Sequence, residues 1–379
     1  MIESPRWIGG GRHGSGGRIS TKLSRAINFV LILGAGMMLG VFLTLQFLSY
    51  LRLGILSPRG ARISQRHGRG VLDYEDANPY YLNVMEDEEL LWSASMVHRR
   101  PKPPEVVRIP KIAFMFLAVG PLPLAPLWEM YFKGNEDRYN IYVHSLPGYN
   151  LEVEQTSPFF GRHVRSQATK WGDLSMCDAE RRLLANALLD QDNERFVLLS
   201  ETCVPLWTFN FTYDYLMKSN QSFVGAFDDP GPVGRGRYDE RMLPEVSIEQ
   251  WRKGSQWFEV DRELATYIVS DVKYYPKFRD FCKPICYVDE HYIPTMLNIE
   301  FPKKVAMRSV TAVDWTKGGA HPGEFGKDDA VEFYQRIRSG HDCTYNGESG
   351  HLCFIFARKF LPESLEPLLA RNIKHREFG

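Results

Sequence analysis

The sequence has no excess of either charge, because 46 lysines and arginines balance 46 aspartates and glutamates over 379 residues. A broad basic surface of the kind that binds nucleic acid is therefore not expected. The main body also lacks internal repeats and low-complexity tracts. No phosphate-binding glycine fingerprint follows a predicted strand, since the glycine-rich residues 9–17 precede a hydrophobic run instead. What remains is ordinary globular composition, long enough for one large domain or two small ones.

Metal-binding cysteine patterns are scarce. Cys282 and Cys286 have the spacing of half a zinc site, but no second Cys or His pair has the usual spacing. Disulfide bonds are the better interpretation, and the sequence does not choose among the possible pairings. The six candidates are Cys177, Cys203, Cys282, Cys286, Cys343 and Cys353.

One hydrophobic run is long enough to cross a membrane. Residues 26–51 contain no charged side chain and exceed the roughly 20 residues that span a bilayer. The run is too long and too far from Met1 for a cleaved signal peptide, so it predicts an uncleaved signal anchor. The spacing of Gly36 and Gly40 could pack two such helices into a homodimer, and glycine tolerated in a single helix is the alternative.

The orientation of this anchor cannot be read from charge, because five lysines or arginines lie close to each end of the run. All six cysteines follow the run, as an oxidising compartment would favour. Two glycosylation sequons, at Asn210 and Asn220, follow it too. The sequence therefore predicts a single-pass type II membrane protein with a lumenal C-terminal body.

Composition divides the chain into four parts. Residues 1–25 are a predicted cytosolic tail and residues 26–51 the anchor. Residues 52–107 are rich in Gly, Ser, Arg and Pro in places and have no apolar periodicity at their start, which predicts a flexible stem. Residues 108–379 are the predicted globular domain.

The globular part alternates predicted strands and helices. Short apolar runs at 111–119, 139–145, 195–200 and 222–228 are typical of buried parallel strands. Between the second and third runs lies an amphipathic helix, with Ser175 and Asp178 at capping-box spacing. This order predicts a doubly wound α/β domain that binds its ligand at the carboxyl ends of the strands.

Two clusters of acids could carry chemistry. Asp228 and Asp229 follow the fourth predicted strand and could hold a divalent metal, although Pro230 and Gly231 make a simple turn the alternative. Asp289 and Glu290, with His291, stand among apolar residues. A carboxylate there could serve as a general base, and a helix-capping acid is the structural alternative.

Seven segments of the globular part are long enough to be compared with known families. They are "WGDLSMCDAERRLLANAL", "FVLLSETCVPL", "FDDPGPVGRGRY", "GSQWFEVDRELA", "VDEHYIPTML", "VDWTKGGAHP" and "CTYNGESGHLCFIFARKF". These segments resemble the plant branch of the core-2/I-branching β-1,6-N-acetylglucosaminyltransferase-like family, and the similarity covers roughly residues 110–370 in consistent order. The resemblance implies a GT-A-like fold, one N-terminal anchor in the Golgi membrane, and inverting transfer from a UDP-sugar to a glycan or glycoprotein without a metal.

The resemblance also implies roles for individual residues. Glu290 matches the catalytic base, and apolar neighbours such as Ile293 and Met296 are expected to raise its basicity. Lys359 matches a lysine that binds the donor diphosphate. The partner arginine fits both Arg338 and Arg336, and Arg338 is preferred.

The resemblance also implies acceptor-binding residues, and the sequence differs from the family pattern at two positions. Trp315 matches a tryptophan that stacks on the acceptor, and Glu240 an acid that binds acceptor hydroxyls. Ser145 stands where relatives have an aspartate that touches uridine, so the donor sugar stays open. The stretch "SETC" (200–203) replaces a metal-binding Asp-x-Asp. These departures motivate the alternative of a non-catalytic glycan-binding or scaffold protein.

Overall fold

The computed structural model describes residues 85–97, 108–282, 286–319, 321–339 and 342–375, together with Gly34, Gly40 and Leu82. The predicted tail and most of the predicted anchor at 26–51 lie outside these residues. None of the helices within the described ranges is both long and apolar enough to cross a membrane.

The described residues form nine strands and nine α-helices, with short 3₁₀ helices between them. The strands are β1 (Lys111–Leu117), β2 (Tyr139–His144), β3 (Asn193–Ser200), β4 (Val204–Pro205), β5 (Glu259–Asp261), β6 (Thr311–Val313), β7 (Cys343–Tyr345), β8 (Glu348–His351) and β9 (Phe356–Arg358). The helices are α1 (Asp87–Ser95), α2 (Ala125–Phe132), α3 (Leu174–Leu188), α4 (Phe209–Lys218), α5 (Arg262–Ser270), α6 (Tyr275–Phe281), α7 (Tyr292–Glu300), α8 (Ala330–Ser339) and α9 (Leu365–His375).

The main sheet has the strand order β2-β1-β3-β5. β1 pairs in parallel with β2 and β3, so that Phe114 lies beside Ile141 on one side and Val197 on the other. β5 joins β3 in the antiparallel direction. The first three predicted strands and the mixed α/β class are therefore confirmed, and the parallel sheet is consistent with a GT-A-like fold.

The sheet is buried on both faces, which explains why its strands are continuous apolar runs. Successive side chains of a strand point to opposite faces. Alternate side chains of β1 therefore enter two separate cores: one set packs with α2, and the other set packs with α3, α5 and α7. The residues of the first core are Ile112, Phe114 and Phe116, and those of the second are Ala113, Met115 and Leu117.

The prediction of a β-strand at 222–228 is wrong, because this run forms no continuous ladder with another strand. Its residues form only isolated bridges with three different segments: Ser222 with Val305, Phe223 with Glu259, and Phe227 with Lys253. Because each part of the run has a different partner, the chain crosses from the sheet edge towards another loop. An apolar run shows that a segment is buried, but it does not show whether one neighbouring strand accompanies it.

A second sheet has the order β4-β9-β6. β6 and β9 are parallel, with Val313 beside Arg358. Their carboxyl ends therefore meet at one edge, where Asp314 and Lys359 follow the two strands. β7 and β8 form a separate antiparallel hairpin.

Part of the predicted stem is folded. α1 packs against α3 and α5, and its Leu90 and Ala94 are 2% and 1% exposed. Asp87 forms an ion pair with Arg182 of α3 at 2.5 Å. The folded unit therefore begins before residue 108.

The predicted helix between β2 and β3 is confirmed as α3, but its cap is Asp173 rather than Ser175. The backbone of Asp173 is extended, and its carboxylate accepts a hydrogen bond from Ser175 N at 3.1 Å. The helix therefore begins at Leu174, one residue before the predicted cap.

Candidate active site

The two acids of the "VDEHYIPTML" motif lie in a short 3₁₀ helix, Val288–Glu290, directly before α7. Tyr287, which precedes them, has a φ of 57°. This left-handed conformation costs a non-glycine residue roughly 1–2 kcal/mol. The cap of α7 is His291 and not Glu290. The carboxylate of Glu290 is therefore available for contacts other than helix capping.

Glu290 lies between two cations. Its Oε2 accepts a hydrogen bond from Arg237 Nη1 at 3.1 Å and a second from Lys253 Nζ. The side chains of Glu290, Arg237 and Lys253 are 24%, 18% and 17% exposed. The carboxylate is thus reachable from solvent, while its charge is balanced by two neighbours that are largely shielded from water.

A close approach of two chain segments places Lys253 at Glu290. Gly254 N donates a hydrogen bond to Glu290 O at 2.7 Å. A Cβ atom at Gly254 would lie 2.0 Å from Gly225 O and 2.5 Å from Pro294 Cγ, so a larger residue does not fit without a shift. The glycine of the "KGSQWF" stretch therefore fixes the lysine before it against the carboxylate.

The buried acid of the motif is Asp289. It is 7% exposed, and its Oδ1 has no hydrogen-bond partner. Burial, and then the negative charge of Glu290, raises the pKa of Asp289 to about 7. Glu180 of α3 is fully buried and bonded to Gln256 at 3.0 Å, and burial and the charge of Asp289 raise the pKa of Glu180. The expected apolar surroundings therefore act on Asp289, while Glu290 contacts cations.

His291 is part of the packing beneath the site. Its ring stacks on Trp251 with centroids 4.6 Å apart, and Nδ1 lies 2.8 Å from Arg252 O. Burial lowers the pKa of His291 to about 3. A neutral, fully buried imidazole supports the loop that carries Lys253.

Lys359 extends from the carboxyl end of β9. Its Nζ donates to Glu324 Oε1 at 2.7 Å, and its side chain is 27% exposed. This bond to Lys359 lowers the pKa of Glu324. A partly exposed lysine at a strand end has the position that an anion-binding group needs, and its diphosphate role stays a prediction.

The two candidate arginines lie apart. Arg336 is bonded to Asp314 at 2.9 Å, at the strand end from which Lys359 extends. The Arg338 guanidinium lies 4.3 Å from the ring centre of Trp207, whose indole donates to Phe354 O before β9 begins. The structure therefore brings Arg336, rather than Arg338, to the edge that holds Lys359. The diphosphate role of Arg338 stays a prediction.

The predicted acceptor residues are both at the surface. Trp315 follows β6 and is 49% exposed. Glu240 begins a 3₁₀ helix, Glu240–Met242, and is also exposed. This helix follows Arg237 by only a few residues, so Glu240 lies on the segment that reaches Glu290. Their contacts with an acceptor stay predictions.

Asp228 and Asp229 have partners within the chain. Both carboxylate oxygens of Asp228 bind Arg235 at 2.7 Å, and Asp229 Oδ1 accepts from Gly231 N at 2.7 Å. These contacts match the turn interpretation. In the ranges that the structure describes, no cluster of three or more His, Cys, Asp or Glu side chains could hold a metal ion.

Ser145, which stands where relatives have an aspartate, follows β2 and is bonded to another side chain, as is His144 before it. Ser145 Oγ lies 3.1 Å from His163 Nε2, and His144 Nε2 lies 2.9 Å from Arg182 Nη1. Burial, and then the charge of Arg182, lowers the pKa of His144 to about 3. Ser145 and His144 thus each have a side-chain partner at the strand end.

The remaining predicted residues fall into two groups. Asn210 and Asn220 are exposed, as glycan attachment requires. Among the cysteines, Cys282 is joined to Cys286 and Cys343 to Cys353, while Cys177 and Cys203 are buried free thiols.

Arg237 and Lys253 are site residues that the sequence analysis missed. Arg237 stands inside one of the motifs that carry the family resemblance, and Lys253 directly precedes another. Neither was singled out, because basic residues on loops are usually solvated. The available signal was the glycine after Lys253, which marks a close backbone approach.

Comparison with known proteins shows which family this sequence resembles. The sequence model of the Core-2/I-Branching enzyme family matches residues 112–338. The chain is also 38% identical over 311 residues to glycosyltransferase BC10 of Oryza sativa subsp. japonica. That alignment covers 70% of this chain and 76% of the rice protein. The matched region contains the main sheet, Glu290 and both of its cations.

Proposed function

The chain belongs to the Core-2/I-branching enzyme family and is a glycosyltransferase, and we propose that it transfers a sugar from a UDP-sugar to a glycan hydroxyl in the Golgi with inversion. N-acetylglucosamine is the first candidate for the sugar. The observation that carries the proposal is the solvent-reachable Glu290 carboxylate between Arg237 and Lys253. The predicted anchor at 26–51, the disulfide-bonded cysteines and the two exposed sequons support a lumenal location.

Glu290 acts as the general base. Both cations bind Oε2, so Oε1 is the atom that takes the proton of the acceptor hydroxyl. The hydroxyl oxygen forms a bond to the anomeric carbon while the bond from that carbon to the diphosphate oxygen breaks. The electron pair leaves with UDP, which needs no proton. A single displacement of this kind inverts the anomeric centre, and base catalysis contributes about 10²–10⁴-fold to its rate.

The leaving diphosphate needs compensation by positive charge. Lys359 supplies it, with Arg338 or, at the same strand end as Lys359, Arg336. The diphosphate then replaces Glu324 as the partner of Lys359. Side-chain cations do here what a divalent metal does in other transferases, so the reaction is metal-independent. Trp315 and Glu240 contact the acceptor.

The test is calorimetric titration of the full-length chain with UDP, with and without EDTA. Lys359→Ala should weaken UDP binding by about 10–100-fold, because a charge-assisted hydrogen bond contributes ~1.5–3 kcal/mol. Lys218→Ala is the matched control, since Lys218 is also ion-paired, with Asp214 at 2.9 Å, and should bind UDP normally.

Each alternative outcome contradicts one part of the proposal. Loss of UDP binding in EDTA would exclude the metal-independent mechanism. Normal binding by Lys359→Ala would remove this lysine from the donor site. No UDP binding by the wild-type chain would exclude a UDP-sugar donor.

A further inference from the structure

Three aromatic side chains near Glu290 have no role in the proposed mechanism. The ring centroids of Trp171 and Tyr287 are 5.0 Å apart at an angle of 70°, and those of Trp171 and His321 are 5.2 Å apart at 40°. Trp171 keeps 52% of its surface exposed despite both contacts. His321 is exposed as well. Three distant parts of the chain thus meet in an open aromatic surface, here called the Trp171 platform.

Local structure holds Trp171 in this exposed position. Asp173 N donates to Lys170 O at 3.1 Å, and Gly172 between them has a φ of 72°, as the third residue of a type II turn does. Asp173 then caps α3 through Ser175 N. The turn is therefore fixed by a helix start, and the indole stands at its corner. Because the indole is joined to the rings of Tyr287 and His321, the exposed surface is a contiguous aromatic patch, and such patches mark binding sites.

The platform is connected directly to Glu290. Arg237 lies 4.2 Å from the centre of the Tyr287 ring, and its Nη1 is 3.1 Å from Glu290 Oε2. Glu290 N also donates to Tyr287 O at 3.0 Å. One guanidinium thus touches both the base and the platform. Tyr287 also has a left-handed backbone conformation, with a φ of 57°. Such conformations of non-glycine residues cluster at functional sites.

We propose that the Trp171 platform is an acceptor subsite that stacks on the apolar face of a pyranose ring of the glycan. The inference rests on the proposed function, because Glu290 as base fixes where the acceptor hydroxyl lies. A pyranose has a face of C–H groups that suits an indole and a rim of hydroxyls that suits polar neighbours. His321 and Arg237 supply the polar contacts. The predicted stacking residue Trp315 is not one of the three rings in these contacts.

The experiment is saturation-transfer NMR of the full-length chain with a panel of methyl pyranosides (galactose, glucose, mannose, xylose and N-acetylglucosamine). UDP titrations are run in parallel. Trp171→Ala should bind the pyranoside that the wild-type chain binds at least about tenfold more weakly, and Trp171→Phe should regain part of the affinity. Trp92→Ala is the matched control, since Trp92 is a 64% exposed tryptophan on α1. UDP affinity should be equal in all four proteins.

Three results would overturn the subsite. They are a wild-type chain that binds no pyranoside of the panel, Trp171→Ala binding the sugar as the wild type does, and Trp171→Ala losing affinity for UDP. The last result would assign the platform to the uracil ring instead. Failure of the proposed donor is distinguishable, because a chain that binds a pyranoside through Trp171 but does not bind UDP keeps the subsite and loses the UDP-sugar.

Discussion

Replacing Glu290 by Gln is the sharpest test of the mechanism, because it changes one oxygen to an amide and keeps the volume. Gln cannot take the proton of an acceptor hydroxyl. Removing a general base lowers turnover by about 10²–10⁴-fold, which corresponds to roughly 3–5 kcal/mol of activation free energy. We therefore expect turnover of Glu290→Gln to fall at least 100-fold.

The same substitution has a structural cost that can be estimated. Gln no longer balances Arg237 and Lys253, whose side chains are 18% and 17% exposed. Hydrogen bonds to charged groups contribute ~1.5–3 kcal/mol each when buried. Partial exposure screens these, and the Gln oxygen still accepts one bond. We expect a loss of about 1–2 kcal/mol in the free energy of unfolding, too little to unfold the chain.

The assay measures UDP release from a panel of UDP-sugars in the presence of glycan acceptors, with UDP affinity measured separately. Glu245→Gln is the matched control, because Glu245 forms an ion pair with Lys277 at 2.6 Å and is 28% exposed. The control should lose a similar or smaller amount of stability and keep its turnover. A Glu290→Gln chain that retains more than about a tenth of wild-type turnover would refute the assignment of the base.

Three further predictions concern charge. Burial raises the pKa of Asp289 from 3.8 to about 7. Between these two pH values the folded chain keeps a proton that the unfolded chain has lost. The free energy of unfolding therefore falls as the pH rises from about 4 to about 7, by up to roughly 4 kcal/mol. The gain in Tm of Asp289→Asn over the wild type should therefore grow between pH 5 and pH 8, and a gain that does not change with pH would contradict this. Arg195→Met leaves the fully buried Glu259, bonded at 2.8 Å, without its cation and should lower the free energy of unfolding by roughly 3–5 kcal/mol at pH 8. That loss should be smaller at pH 5, since burial raises the pKa of Glu259 to about 7, and equal losses at both pH values would contradict the role of this charge. Replacing the arginine that binds the diphosphate by Ala should weaken UDP binding about 10–100-fold in titrations. If Arg336→Ala weakens UDP binding and Arg338→Ala does not, the choice of Arg338 is wrong.

The hydrophobic pattern of the sequence predicted the strands that have the same kind of neighbour along their whole length. β1, β2 and β3 were recognisable because a parallel strand covered on both faces must be apolar throughout. The run at 222–228 carries the same pattern and forms no ladder, because its partners change along its length. The motif around Glu290 was recognisable for a different reason, namely the ordered segments shared with a family.

The sequence by itself thus determined the mixed α/β class, the family and the position of the candidate base. Only the tertiary structure decided which charges surround that base. Lys253 and Arg237 reach Glu290 because distant segments approach closely, and Asp289 is buried by α3. Trp171, Tyr287 and His321 are likewise joined only by the fold. Contacts between distant segments depend on how the elements pack. A local signal such as Gly254 marks a close approach of two segments, but it does not identify the partner.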